Sequence, residues 1–377
     1  MTVVRSISKE LAKRHEVVVY TTTALDPKHD SSPREKEVDG YRVVYFPRTF
    51  RQLCYTEVFG TLSLSLNMMK ALKENLTDFD IVHCHSWQQI PDVVVYHYAT
   101  KYAVPYVLQT HGSIPRIGKK FRKITYDVIF GYRVLNSASK VIAVSRIEAE
   151  QYKRMGVPEA KIALIPNGID LSEYANLPLK GSFKTKFGIK EDEKIVLYLG
   201  RIHKIKGVDI LVKAFKKTAA KLGNLKLVII GPDDGYLREL ESLVRVLRME
   251  KNVMILNPLY GREKLEAYVD AGICVLPSTY EIFGMTVLEA SACSKPVVAT
   301  EVSGAALDII LDGRTGFVVR SNDVPDLARS LEYLLNDEDG SKRMGQKARE
   351  RVVKLFSIQN TVAKIENVYS EIYAQDN

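Results

Sequence analysis

Short runs of β-branched and aliphatic residues alternate with longer stretches of helical apolar spacing along most of the chain. Strands that alternate with helices indicate βαβ units and parallel sheets. Six predicted strands precede a polar break and six follow it: 16–20, 41–46, 81–85, 106–110, 141–144, 161–165, 194–199, 226–230, 253–256, 273–276, 296–300 and 316–319. We therefore predict an α/β protein with two facing, doubly wound, Rossmann-like domains.

The polar break marks the predicted domain boundary. Apolar periodicity lapses within "DLSEYANLPLKGSFKTKFG", which begins at Asp170. We place an N-terminal domain at 1–178 and a C-terminal domain at 179–356, and expect the helix 357–377 to pack back on the first domain. This helix has apolar residues at helical spacing, namely Ile358, Val362, Ile365, Val368 and Ile372. Two facing doubly wound domains leave a cleft at the carboxyl ends of their strands, where ligands bind.

Composition narrows the class of protein. The 377 residues are 46% hydrophobic and 26% charged, as in a soluble globular protein. The sequence contains no uncharged apolar run of about 18 residues, and charged residues interrupt the N-terminus where a secretory signal would need an apolar region. Four scattered cysteines show no metal-ligand spacing: Cys54, Cys84, Cys274 and Cys293. We interpret them as free thiols in a reducing cytoplasm.

The net charge of +9 indicates anionic partners. We do not expect nucleic acid, because the sequence lacks helix-turn-helix spacing, a zinc finger and an aromatic–basic RNA motif. A phosphorylated small molecule or an anionic membrane surface fits the charge better.

The segment "YLGRIHKIKG" places cations after a predicted strand. Gly200 allows a tight turn, Arg201 and Lys206 flank the loop, and Gly207 precedes a predicted helix whose N-terminus attracts anions. Two cations and a helix terminus suit a diphosphate. The alternative is a solvent-exposed basic turn.

A second segment, "STYEIFGMTVLEASAC", carries two acids eight residues apart. Glu281 falls in a predicted loop, and a helix that begins near Gly284 offers free backbone N–H groups of Gly284, Met285 and Thr286 to an anion. Glu289 lies further along that helix, where its carboxylate can accept hydrogen bonds from a diol such as ribose. A buried carboxylate without a partner is costly. A role as a helix cap or a surface charge therefore explains poorly why an acid stands within "TVLEASAC".

Together these motifs resemble the retaining nucleotide-sugar glycosyltransferases of GT-B fold, family 4, whose signature is two glutamates separated by seven residues. "GRIHKIKG" and "EIFGMTVLE" stand about 75 residues apart, and smaller matches occur in the family's order. They are "HCHSW", "QTHGS", "AVSR", "PNGID", "GPDDGYL" and "DGRTGFVV". The resemblance covers nearly the whole chain.

The resemblance implies roles in donor binding. Glu289 would bind the ribose, Arg201 and Lys206 would hold the diphosphate, and Glu281 with the amides after Phe283 would hold the donor sugar. No enzyme-bound metal and no cofactor are implied.

Two further roles follow from the same resemblance. His111 would face the donor sugar from the N-terminal domain, and the backbone near Leu259 would frame the base. Asn257 stands where the family commonly has glycine, which leaves the choice of base open.

His83 and His85 share one face of a predicted strand. A metal pair, a cleft-lining role for His85 and a structural role are all compatible with this spacing. No third ligand has suggestive spacing, so we expect no metal site.

The segment "SIPRIGKKFRKITY" interleaves apolar residues with five cations, Arg116, Lys119, Lys120, Arg122 and Lys123. Such a pattern is typical of a surface that docks on anionic lipid. We expect peripheral binding to the inner face of the membrane and a lipid-linked, phosphorylated or glycan acceptor. A solvated basic loop is the alternative.

We predict an enzyme that moves a sugar from a nucleotide-sugar donor to a hydroxyl acceptor with retention. A non-catalytic glycosyltransferase-like scaffold and a GT-B epimerase or phosphorylase remain alternatives.

Members of the resembled family begin with a strand and a glycine-rich turn, whereas "TVVRSISKELAKR" follows Met1 directly and is predicted to be the next helix. We expect either a start about 15–25 residues upstream or an N-terminal domain damaged by the loss.

Overall fold

The computed structural model describes residues 2–22, 33–49, 65–114 and 124–376. They divide into two compact units, 1–168 with 358–377 and 169–357. Across the described ranges, no helix is long and apolar enough to cross a membrane.

The N-terminal unit contains two separate sheets within the described residues. Its strands are β1 (Val18–Thr22), β2 (Arg34–Val38), β3 (Tyr41–Phe46), β4 (Val82–Cys84), β5 (Tyr106–Gln109), β6 (Lys140–Ala143) and β7 (Ile162–Leu164). One sheet has the order β1-β3-β2, with β1 parallel and β2 antiparallel to β3. The other has four parallel strands in the order β4-β5-β6-β7.

Helices surround these sheets. They are α1 (Thr2–Leu11), α2 (Leu66–Asn75), α3 (Ile90–Tyr102), a π-helical turn (Asp127–Gly131) that continues into α4 (Tyr132–Ser137), α5 (Arg146–Arg154) and the C-terminal α14 (Ile358–Asp376). The apolar stripe of α14 is buried against α1, β5 and β6, in a cluster that includes Ile7, Val107 and Ile142. The chain therefore returns to the N-terminal unit at its end.

The C-terminal unit is built on one six-stranded parallel sheet. Its strands are β8 (Lys194–Leu199), β9 (Leu225–Ile230), β10 (Val253–Leu256), β11 (Ala271–Leu276), β12 (Val297–Thr300) and β13 (Gly316–Val319). The order is β10-β9-β8-β11-β12-β13, and every pair is parallel. This is the doubly wound order in which the chain reverses direction across the sheet between β8 and β11.

The helices of this unit are α6 (Ser182–Phe187), α7 (Val208–Leu222), α8 (Leu237–Val246), α9 (Gly261–Asp270), α10 (Met285–Ala292), α11 (Gly304–Asp308), α12 (Val324–Asn336) and α13 (Glu338–Leu355). Five of them, α7 to α11, connect successive strands, whereas α6 precedes β8 and α12 and α13 follow β13. A large core lies between α7, α8 and α12 and the central strands, with Tyr198, Phe215 and Leu331 fully buried. The prediction of an α/β protein with parallel sheets is confirmed.

Strand β2 was not among the strands predicted from the sequence. This strand pairs antiparallel with β3 through a two-residue connection, Asp39-Gly40, in which both residues have positive φ. An Asp-Gly pair between two strands is the usual signal of a tight hairpin. The run "REKEV" is mostly charged and exposed, so its hydrophobic pattern gave no sign of a strand.

Candidate active site

The carboxyl ends of β8 and β11 meet at the topological switch point of the C-terminal sheet. In doubly wound folds, ligands bind in the crevice that forms there. The loop after β8 carries Arg201 and Lys206, and the loop after β11 carries Glu281. The fold therefore brings together two segments that are about 75 residues apart in sequence.

Backbone contacts lock the two loops together. The Thr279 N–H donates to the Ile205 carbonyl at 2.8 Å, and the Thr279 hydroxyl donates to the same oxygen at 3.1 Å. Gly207 has a φ of +64°, and a Cβ atom there would lie 2.0 Å from the Pro277 carbonyl oxygen. Only glycine permits this approach of the two loops.

Lys206 and Glu281 form an ion pair across the two loops. Lys206 Nζ lies 2.6 Å from Glu281 Oε2, and the two side chains are only 12% and 19% exposed. An ammonium has three donors and a carboxylate has about four acceptor positions. Each group therefore keeps free hydrogen-bonding capacity while it compensates the charge of the other.

Arg201 occupies a more open position in the same loop. Its guanidinium contacts Asp234 Oδ2 at 2.5 Å, and both side chains are largely exposed. Asp234 belongs to the turn after β9, where Asp233 accepts the backbone N–H groups of Gly235, Tyr236 and Leu237. These three hydrogen bonds lower the pKa of Asp233. The partner of Arg201 is thus carried by a well-fixed turn.

The helix α10 begins at the loop that carries Glu281. Gly284 caps it with a φ of +80°, and a Cβ atom there would meet Leu276 Cδ2 at 2.6 Å. Glycine thus allows the turn, and the first amides of α10 follow it directly. Phe283 is buried beside this turn.

Glu289 extends from α10 toward α9. Its Oε1 contacts Lys264 Nζ at 2.9 Å, and its Oε2 accepts from the Tyr268 hydroxyl at 2.8 Å. The acid in "TVLEASAC" is thus paired. Leu259 is half-buried in the short connection between β10 and α9, next to the exposed Asn257.

Three histidines cluster in the N-terminal unit. The rings of His83 and His85 stack 4.0 Å apart, and His85 Nδ1 lies 3.0 Å from His111 Nε2. His83 Nδ1 contacts the Tyr369 hydroxyl at 2.7 Å. Burial lowers the pKa of His83 to about 3 and that of His111 to about 4, so the cluster is neutral at pH 7.

A buried glutamate holds the loop that carries His111. Glu148 accepts from the Thr110 hydroxyl at 2.7 Å and from the backbone N–H groups of Gly112 at 2.5 Å and Val144 at 2.8 Å. Burial raises the pKa of Glu148. His111 itself has a φ of +49°, a left-handed conformation that is costly without such support.

Some predicted site residues lie outside the described part of the chain: Arg116, Lys119, Lys120, Arg122 and Lys123. Within the described residues, no group of three or more histidine, cysteine or acidic side chains could hold a metal ion. Cys84, Cys274 and Cys293 are buried free thiols, and burial raises the pKa of each.

The partners of these candidate residues were not predicted from the sequence. Four side chains contact a predicted site residue or its loop, namely Lys264, Tyr268, Asp234 and Glu148. Lys264 and Tyr268 share helical i, i+4 spacing, which was the one local signal available for this pair. Their target, Glu289, is more than twenty residues downstream, so no local pattern connects them.

Comparisons with known proteins identify the family of the chain. Residues 180–351 match the model of "Glycosyl transferases group 1", and residues 2–173 match that of "Glycosyltransferase Family 4". An uncharacterized glycosyltransferase of Methanocaldococcus jannaschii is 30% identical over 298 residues, covering 77% of this chain and 75% of that protein. A D-inositol 3-phosphate glycosyltransferase of Kineococcus radiotolerans is 27% identical over 377 residues, covering 92% of this chain and 84% of that protein.

Solved structures show the same architecture. Sucrose-phosphate synthase from Thermosynechococcus elongatus superposes with a TM-score of 0.79 and 25% identity, covering 99% of this chain and 93% of that one. The fold is that of the GT-B glycosyltransferases. The chain belongs to glycosyltransferase family 4 and is a transferase enzyme.

Proposed function

We propose that this glycosyltransferase moves a sugar from a nucleotide-sugar donor, bound by the C-terminal unit, to a hydroxyl acceptor with retention at the anomeric carbon. The observation that carries the proposal is the convergence of Lys206, Arg201 and Glu281 at the carboxyl ends of β8 and β11. Two cations in the loop that leads into the N-terminus of α7 suit a diphosphate, because helix N-termini attract anions.

In this proposal, the bond between the anomeric carbon and the diphosphate oxygen breaks and a bond to the acceptor oxygen forms. The acceptor proton passes to the departing phosphate, and retention results because the acceptor attacks from the leaving-group side. Arg201 and Lys206 stabilise the charge that develops on the diphosphate, which is the usual role of such cations. Glu281 accepts hydrogen bonds from the donor sugar.

The ion pairs of the candidate site support these roles. Lys206 is held in place by Glu281, so little side-chain entropy remains to be lost when the diphosphate binds. Glu289 is likewise fixed by two partners and is proposed to accept from the ribose hydroxyls. Leu259 is proposed to frame the base, and His111 to contact the transferred sugar.

The acceptor is proposed to be a phosphorylated or lipid-linked hydroxyl compound. The net charge of +9 favours an anionic substrate. The relative from Kineococcus radiotolerans is named for transfer to inositol 3-phosphate, which supports a phosphorylated acceptor.

Calorimetry with free nucleoside diphosphates tests the donor assignment. Glu289→Ala should weaken binding by about 1–3 kcal/mol, because a hydrogen bond between a carboxylate and a hydroxyl is charge-assisted. Glu281→Ala should chiefly slow turnover, because its proposed contact is with the sugar. A larger loss of nucleotide binding in Glu281→Ala than in Glu289→Ala would reverse the two roles. Wild-type protein that neither binds a nucleoside diphosphate nor hydrolyses a donor would favour the scaffold alternative.

We also propose that the N-terminal unit docks on the cytoplasmic face of an anionic membrane. Exposed apolar side chains lie on the π-helical turn (Val128 and Ile129), at the start of α4 (Tyr132) and just before the turn (Ile124), with 67% of Val128 and 47% of Ile129 accessible. In the sequence, the five cations from Arg116 to Lys123 come immediately before this face. Apolar side chains beside basic ones are typical of an interfacial anchor.

Sedimentation with vesicles tests this second proposal. Binding to phosphatidylserine-containing vesicles at low salt should fall when the five cations become serine, and also in Val128→Ser/Ile129→Ser. Leu179→Ser, at an even more exposed apolar position on the C-terminal unit, should leave binding unchanged. Binding that survives both sets of changes would contradict the proposal, as would concentration-dependent self-association through this face.

A further inference from the structure

Two side chains of α9 contact one carboxylate of α10. Lys264 and Tyr268 are four residues apart and therefore lie on the same face of α9. Lys264 Nζ is 2.9 Å from Glu289 Oε1, and the Tyr268 hydroxyl is 2.8 Å from Oε2. Each oxygen of Glu289 thus has its own donor.

The three groups differ in accessibility. Tyr268 is 1% exposed, whereas the side chains of Lys264 and Glu289 are 23% and 17% exposed. Burial, reinforced by the negative charge of Glu289, raises the pKa of Tyr268 well above its usual value, so the phenol stays a hydrogen-bond donor. A rigid donor from the core and a more accessible cation therefore fix the carboxylate from two sides.

This arrangement leaves acceptor capacity unused. A carboxylate offers about four lone-pair positions, of which Lys264 and Tyr268 occupy two, one on each oxygen. A vicinal diol presents two hydroxyl donors that can reach the two oxygens of one carboxylate. Glu289 can therefore bind a diol without releasing either partner.

We propose that Lys264 and Tyr268 are positioning residues that orient Glu289 for the 2′- and 3′-hydroxyls of the donor ribose. The inference rests on the proposed nucleotide-sugar function. The inference goes beyond that function, because the distinction between ribose and deoxyribose then depends on two side chains that do not themselves carry out the transfer. If the pair served only to stabilise the fold, its loss would affect every nucleotide equally.

The experiment measures binding of a nucleoside diphosphate and of its 2′-deoxy form by calorimetry, using whichever of uridine, guanosine and adenosine diphosphate binds best. Wild-type protein should prefer the ribose form by about tenfold or more, the value of one charge-assisted hydrogen bond. Lys264→Met and Tyr268→Phe should each reduce this preference to about threefold or less. Lys264→Arg, which keeps a charged donor, should retain most of it.

Two controls isolate the effect. Lys186→Met removes a cation that pairs with Glu263, the neighbour of Lys264 on α9, and should leave the preference unchanged. In a Glu289→Gln background, Lys264→Met should cause no further loss, because the two changes act through the same carboxylate. Melting curves establish that each variant is folded, and Tyr268→Phe removes a single oxygen should Lys264→Met prove unstable.

The outcomes separate this inference from the proposed function. If Glu289→Gln abolishes the preference while Lys264→Met and Tyr268→Phe keep it, the positioning role is wrong and the ribose assignment stands. Equal weakening of both nucleotides in Lys264→Met would also overturn the positioning role. If wild-type protein shows no preference, both the ribose assignment and the inference fail.

Discussion

At the scale of single residues, the two cations of the β8 loop differ in their surroundings. Lys206 is largely buried and faces Glu281, whereas Arg201 is more than half exposed and faces an exposed aspartate. Exposed ion pairs contribute little to folding, but removal of one member of a buried pair leaves an uncompensated charge. Variants of Lys206 and of Arg201 should therefore differ in stability even if both lose activity.

We predict that Lys206→Ala and Arg201→Ala each lower turnover about 10²–10³-fold, as expected when one preorganised contact to the leaving group is lost. Lys206→Ala should also lower the melting temperature, while Arg201→Ala should leave it nearly unchanged. Lys213→Ala, which removes an exposed cation of α7, serves as the control. Steady-state rates and melting curves measure both effects. Unchanged turnover in both site variants would contradict the diphosphate assignment.

The candidate acids could be found from sequence because their context is unusual. Glu289 stands in an apolar run, where a carboxylate requires partners. Those partners, Lys264 and Tyr268, could not be identified, because many cations and hydroxyls are available and only the packing of α9 on α10 selects these two. The pairing of Arg201 with Asp234 depends in the same way on the adjacency of β8 and β9.

At the scale of elements, the strands of the C-terminal sheet were predictable because buried parallel strands are continuous apolar runs. The central strands β8 and β11 have the sequences "KIVLYL" and "AGICVL". The charged strand β2 has no such run, and its pairing with β3 depends on the Asp39-Gly40 turn. The strand order follows from the doubly wound topology, whereas the contact between the β8 and β11 loops depends on local backbone geometry.

That contact leads to a prediction for Gly207→Ala. A methyl group at this position would overlap the Pro277 carbonyl oxygen, so the two loops must separate. A buried steric conflict added to a left-handed backbone should cost at least about 2–3 kcal/mol of unfolding free energy. Nucleotide binding should weaken as well, because Lys206 and Glu281 lie on the two displaced loops. Denaturant titration and calorimetry measure the two effects.

Gly188→Ala is the matched control for this prediction. Gly188 has a φ of +64° and a ψ of +30°, close to the +64° and +24° of Gly207, but a Cβ atom there meets nothing within 4 Å. The control therefore carries the same backbone strain, about 1–2 kcal/mol, without the conflict between loops. Equal losses in the two variants would show that backbone strain alone explains the effect of Gly207→Ala.

At the scale of the whole molecule, the two units differ in their buried ionisable groups. The N-terminal unit contains His83, His85 and His111, whose pKa values are all lowered, chiefly by burial. It also contains Asp92, whose pKa burial raises to about 6. In the C-terminal unit, the described groups with the largest shifts are tyrosines and cysteines, which do not gain protons between pH 7 and pH 5.

These shifts act on stability in opposite directions. Each histidine takes up a proton below pH 6.5 in the unfolded chain but stays neutral in the folded one, so acidification from pH 7 to pH 5 favours unfolding by about 2 kcal/mol per histidine. Asp92 takes up a proton in the folded chain first and opposes this by about 1.4 kcal/mol over the same interval. Glu148, with its raised pKa, acts in the same direction as Asp92. Three histidines outweigh two acids, so the N-terminal unit should lose stability as the pH falls.

Tryptophan fluorescence can follow this loss in the N-terminal unit alone. Trp87 is the single tryptophan of the sequence and is buried in that unit.

We predict that the midpoint of the thermal transition reported by Trp87 is lower at pH 5 than at pH 7. His83→Asn, which keeps a polar group beside Tyr369, should reduce this difference by roughly 4–8 °C, because it removes one of the three buried histidines that take up a proton only on unfolding. His97→Asn, at an exposed position of α3, is the control and should leave the difference unchanged. A midpoint independent of pH, or the same acid sensitivity in His83→Asn as in wild type, would show that the buried histidines do not control the acid stability of this unit.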